Sequence, residues 1–193
     1  MFYVSLGIVL FIFVASLFFR GRFFWFKFIR LFFYFSLLVV FIFLLVLSLV
    51  QFLEWQQDDF SKYLLPPHQS INYFIFYCFS RFFLSYIISA AGAFSFLYAA
   101  KFLNKKYEEK FFYPEELYFG ALGIFLSSFP GFIFYVVFLI AVYLITHLYS
   151  SLFTGRSSER LSLYYLWLPI VLFAIIINNY IVQHLPIWQM LKV

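Results

Sequence analysis

Residues 31–52 contain no charged side chain and no proline. A run of Leu, Val, Ile and Phe that long is sufficient to cross a bilayer as a helix, and it offers no polar face to water. The remaining chain agrees with that start. Hydrophobic types make up 66% of it and charged types 11%, where a soluble domain carries about a quarter charged residues. Such a chain cannot wet a globular surface. The expected class is all-α: a polytopic membrane protein of about six transmembrane helices, forming a single domain over 1–193, with main polar connectors at 54–70 and 101–116.

The other expected spans are placed by apolar runs and breaks. Residues 2–19 are short for a crossing and read as a retained span rather than a cleaved signal, because no basic segment precedes them. Arg20, Arg22, Lys27 and Arg30 follow, interleaved with Phe23, Phe24, Trp25, Phe26 and Phe28. Rings at headgroup level with snorkelling basic side chains predict an interfacial connector, and lipid rather than nucleic acid as its partner. Residues 71–103 are apolar apart from Arg81. They are too long for one crossing and short for two, so an interfacial or extended part over 71–80 is expected to lead into a span over 82–103.

Pro114-Glu115-Glu116 reads as a helix start, with proline in the first turn and carboxylates at the positive helix end. That fourth span, 117–129, has to recruit 111–114 to cross. Ser127-Ser128-Phe129-Pro130-Gly131 is the turn that ends it. A fifth span covers 132–153 and a sixth covers 163–182, with a bend expected at Pro169.

The basic residues order these spans. Arg20, Arg22, Lys27 and Arg30 fill the first connector; Lys101, Lys105, Lys106 and Lys110 the third; Arg156 and Arg160 the fifth. The second connector has Lys62 alone and the tail Lys192. Both termini then lie opposite the positive compartment, and Asp58-Asp59 lies across the membrane from Glu115-Glu116.

Chemistry-bearing patterns are sparse. Cys78 is the single cysteine, which excludes an intrachain disulfide and a Cys-based metal cluster. No carboxylate falls inside an expected span, which argues against ion-coupled transport. His68 and His147 have no second imidazole at a chelating spacing, and His147 is expected to hydrogen-bond near the interface. The structural or interface candidates are Arg81, Gly92, Gly120, Gly123, His147, Asn178 and Asn179. Ser89 and Ala93 flank Gly92 and, like Gly123 and Ser127, form a small-xxx-small pair that lets helices approach closely. Asn178 and Asn179 are placed to bridge helices.

From Asp59 to Phe153, and again over 163–172, the chain resembles the type IV prepilin peptidases, which are aspartyl membrane proteases. Asp59-Phe60-Ser61-Lys62-Tyr63-Leu64-Leu65-Pro66 has the spacing of that family's first aspartate to its Ile/Leu-Pro-Asp step, with Pro67 where the second Asp stands. Phe112-Tyr113-Pro114-Glu115 occupies the place of Gly-x-Gly-Asp, without its glycines, and is followed by Ala121-Leu122-Gly123. Trp167-Leu168-Pro169 stands near the late Pro-Phe-Gly-Pro. The resemblance implies a catalytic pair of Asp59 and Glu115. An aspartyl dyad must share a proton across about 3 Å, so the pair meets only if 71–103 folds as a re-entrant pair.

Two functions are therefore expected from different classes. The first is a non-catalytic subunit of a multi-subunit membrane complex, such as a respiratory one, with no cofactor but with bound phospholipid. Its partners would be other integral membrane subunits and its location the mitochondrial inner membrane or the bacterial inner membrane. The second is a prepilin-peptidase-like aspartyl protease.

Overall fold

The computed structural model describes residues 1–19, 23–107, 112–153 and 166–184. Among them six helices form an all-α fold. Helix α1 is Phe2–Phe19 and α2 is Phe23–Gln57. Helix α3 is Ile71–Lys106, made of α-helix at Ile71–Cys78, a π-helical turn at Phe79–Phe83 and α-helix again at Leu84–Lys106. Helices α4, α5 and α6 are Pro114–Ser127, Gly131–Phe153 and Trp167–His184. Three stretches are long and apolar enough to cross a membrane: Phe28–Gln57, Ile71–Lys106 and Gly131–Tyr149. Phe2–Phe18 and Trp167–Ile181 are apolar but shorter.

The fold is built around its shortest helix. Every residue of α4 from Glu116 to Ser127 is buried. Helices α1, α2, α3, α5 and α6 all pack against it. A helix apolar all round has no face to give to solvent and is stable only when walled on every side. Gly120 and Gly123 make the walls close. A methyl group on Gly120 would meet the Phe96 ring at 2.5 Å and the Trp167 ring at 2.8 Å, and one on Gly123 would collide with the Tyr135 ring. Gly92 of α3 faces Ile124, with Ser89 and Ala93 fully buried beside it.

Helices α2 and α3 run antiparallel, and ring contacts fix their register. Phe33 meets Phe94, Phe41 meets Phe83, and Phe52 meets Phe74. Phe33 also reaches Tyr118 of α4, and Phe41 reaches Phe125. The main core lies between these levels. A second, smaller core of Trp55, Leu65, Phe74 and Cys78 closes the far end of the α2–α3 hairpin.

Several expectations are corrected. Helix continues through 71–80, where an interfacial or extended segment was expected, because Arg81 sits in the π turn without ending the apolar helix. Residues 71–103 are one rod of about 50 Å, not a re-entrant pair. The basic aromatic segment is helical from Phe23, and α2 runs past Glu54 to Gln57. Helix α4 starts at Pro114 and recruits neither Phe112 nor Tyr113. It is about 21 Å long, which is short of the roughly 30 Å of hydrocarbon. Pro169 is no bend: it falls in the first turn of α6, where a missing N–H costs little. Residues 163–165, Arg20, Arg22, Lys110, Arg156, Arg160 and Lys192 lie outside the described residues.

Candidate functional site

Polar side chains cluster at three levels of the molecule: the tip of the α2–α3 hairpin, the start of α4, and the α4–α5 turn. At the hairpin tip a 3-10 turn, Ser61–Leu64, follows α2. The Asp58 carboxylate accepts the Ser61 N–H at 2.8 Å. Hydrogen bonds from the Ser61 hydroxyl and backbone hold the Asp58 carboxyl below its ordinary value of 3.8. Lys62 pairs with Asp59 at 2.9 Å, on a side chain that is 89% exposed. Leu65 is 3% exposed and anchors the loop against Trp55, and the Pro66-Pro67 bond is cis. Both aspartates thus fold their own loop.

At the start of α4, Asn104 does the work of a backbone segment. Its amide Nδ2 donates to the Phe112 carbonyl at 2.7 Å and its Oδ1 accepts the Phe112 N–H at 3.0 Å. Buried Glu116 accepts the Tyr113 N–H at 3.0 Å. One orphan amide of the helix start is satisfied in this way. Lys101 lies 3.4 Å from the Tyr118 hydroxyl and over its ring.

At the α4–α5 turn, the Phe129 N–H donates to the Ser85 carbonyl of α3 at 3.3 Å. Ser127 donates back to Gly123 at 2.7 Å. Asn178 donates to the Ser127 carbonyl at 3.4 Å, tying α6 to α4, and its side chain occupies the space a methyl on Gly131 would need. Ser128 has a φ of 51° and the Phe129-Pro130 bond is cis. The hydroxyls of Ser5 and Tyr86 lie 3.3 Å apart, joining α1 to α3. Just above, Tyr135 Oη and Trp167 Nε1 are buried without a hydrogen-bond partner among the described residues. Both rings rest on α4 glycines.

Of the sequence-predicted residues, Gly92, Gly120, Gly123 and Asn178 converge on α4. Asn179 is half-buried next to Asn178, and His147 is half-buried with its ring 6.1 Å from Tyr143. Arg81 is exposed at the π turn. Asp59 and Glu115 are not brought together: they lie at opposite ends of α3, about 50 Å apart along its axis. Among the described residues no group of three or more His, Cys, Asp or Glu side chains is placed to hold a metal ion.

Sequence reasoning missed Asn104, Ser85 and Tyr135; it gave Glu116 a place at the helix start but not Tyr113 as its partner. Glu116 lies three residues after Tyr113, which is capping-box spacing, but Tyr113 lacks the Ser or Thr that marks one. Asn104 sits next to Lys105 and Lys106 and reads as solvated. Comparison with protein families, with curated proteins and with solved structures returns no match.

Proposed function

We propose that this chain is a non-catalytic integral subunit of a larger membrane complex, holding partner helices and lipid in place. The observation that carries the reading is the contrast between its inside and its outside. Polar side chains at each of the three levels make loop, cap and turn bonds within the protein. Outward, α2 shows an unbroken apolar stripe at helical spacing: Leu31, Phe35, Leu38, Ile42, Leu45 and Leu49. Helix α5 shows another, from Ile133 to Leu152. Such stripes suit helix–helix packing in lipid.

In this reading the basic connectors lie on one side of the membrane and the hairpin tip on the other. The host is an energy-converting complex of a mitochondrial or bacterial inner membrane. The test is native size after mild detergent extraction, with mass spectrometry of what co-purifies. A particle of several hundred kilodaltons with fixed partners is expected. Migration as a single 23.2 kDa chain in a micelle would overturn the reading. Separately, Asp59→Asn and Glu115→Gln are expected to leave the complex's turnover unchanged.

A further inference from the structure

The helices of this protein do not share a common depth. Ser5 of α1, the α4–α5 turn and Asn178 of α6 all lie at the level of Ser85 and Tyr86 on α3. The α2–α3 hairpin continues past that level for about 20 Å. Its surface there remains apolar, with Leu45, Leu49 and Leu53 of α2 and Ile75, Phe76 and Phe79 of α3 all exposed.

Charge bounds the apolar stretch of α2, and that stretch is taken to set the bilayer on the hairpin. Between Arg30 and Glu54, α2 carries no charged side chain, a stretch of about 35 Å that matches hydrocarbon thickness. Its partner stretch on α3 runs from Phe74 to Phe94. Shifting the bilayer to centre on the shorter helices would sink Arg30 and expose Leu49 and Leu53 to water. On the matched placement, among the described residues only α2 and α3 run the full depth of the lower leaflet; α1, α4 and α5 end near mid-depth, and α6 reaches about 9 Å further, to His184.

Arg81 sits in that half-covered leaflet, about 10 Å inside the Phe74 level. It is one turn below Ser85, whose carbonyl receives the α4–α5 turn. It is exposed, and it makes no hydrogen bond or ion pair among the described residues. A guanidinium at that depth requires an anion, and long side chains draw headgroups and water inward to meet them. The underside above it is polar: half-buried Ser128 and Asn179, and exposed His184 at the end of α6.

We propose that Arg81 is a phospholipid-binding residue: its guanidinium takes the phosphate of a lipid seated under the α4–α5 turn, and the lower leaflet is thinned there to reach it. The planar fork matches two phosphate oxygens at once. The acyl chains lie along the exposed apolar surface of the α2–α3 extension. The site stands whether or not the chain joins a complex.

The test is native mass spectrometry of the full chain, delipidated and then titrated with phosphatidylglycerol or with diacylglycerol of the same acyl chains. Phosphatidylglycerol is expected to be retained about tenfold better, and Arg81→Leu to lose that preference, as one charged hydrogen-bonded contact would give. Arg81→Lys keeps the charge and is expected to fall between. Equal retention of the two lipids, or a preference unaltered in Arg81→Leu, would overturn the assignment. Displacement by inorganic phosphate would show a phosphate site without lipid, and a protein cross-linked from position 81 in native membranes would show a partner there; either result overturns the lipid assignment.

A second readout addresses depth. In a Cys78→Ser background reconstituted in vesicles, Tyr180→Cys on the exposed underside is expected to react with a membrane-impermeant maleimide, and to react several-fold more slowly when Arg81→Leu is added. A cysteine unreactive in vesicles yet reactive in detergent would refute the thinned leaflet.

Discussion

Single side chains here decide how tightly α4 is enclosed. Gly123→Ala forces a methyl into the Tyr135 ring, an overpacking that costs about 1–3 kcal/mol. We expect a lower thermal midpoint in detergent, with Gly7→Ala as the control, since nothing lies within reach of a methyl there. Tyr135→Phe runs the other way. It removes a buried hydroxyl that has no partner among the described residues, so stability is expected to hold or rise; a loss above about 1 kcal/mol would mean that the hydroxyl is bonded. At the hairpin tip, the depressed Asp58 carboxyl ties the 3-10 turn to pH. Its folded pKa is below its unfolded one, so its contribution is present above the ordinary 3.8 and disappears as pH falls through the folded value. Carboxyl-carbon NMR should place the Asp58 midpoint below 3.8, and Ser61→Ala should move it upward.

At the scale of the helix, the π turn at Phe79–Phe83 sets the phase between the two halves of α3. Phe74 and Cys78 meet Trp55 through it, while Ser85, Ser89 and Ala93 face α4. Deleting Ser80 would rotate Ile71–Cys78 by about 100° against the rest. Cys78, 5% exposed, is then expected to react with maleimide in detergent, whereas the wild type stays protected; continued protection would show that the turn sets no phase. This element also marks where the sequence was legible. Pro114-Glu115 announced the start of α4, and Ser127 to Gly131 its end, because proline and glycine act locally. Helix through Arg81 and through Phe23 to Arg30 was not legible. A charge inside an apolar run reads as a break when nothing local says that the helix continues around it. Asn104 was equally silent, since its partner Phe112 is set by the fold.

Across the whole molecule, the polar ends of α3 face opposite directions. Asp59 and Glu115 converted singly to cysteine, in a Cys78→Ser background, are expected to be labelled from opposite sides of sealed, uniformly oriented vesicles. Labelling of both from one side would undo the single-rod reading of α3 and return a shared acid pair to consideration. The alternation of basic connectors predicts the same polarity, because it depends on summed charge rather than on any one contact. The level near Ser85 where α1, α6 and the α4–α5 turn meet α3 had no such signature: it rests on contacts between helices, which hydropathy along one helix does not encode. The enclosure of α4 also bears on biosynthesis. A helix of about 21 Å is a poor independent stop for the insertion machinery, and one of its walls, α6, is made last. During synthesis α4 is unsheltered until residues 167–184 have emerged. The centre of the protein therefore depends on α6, or on a chaperone standing in for it, before it is complete.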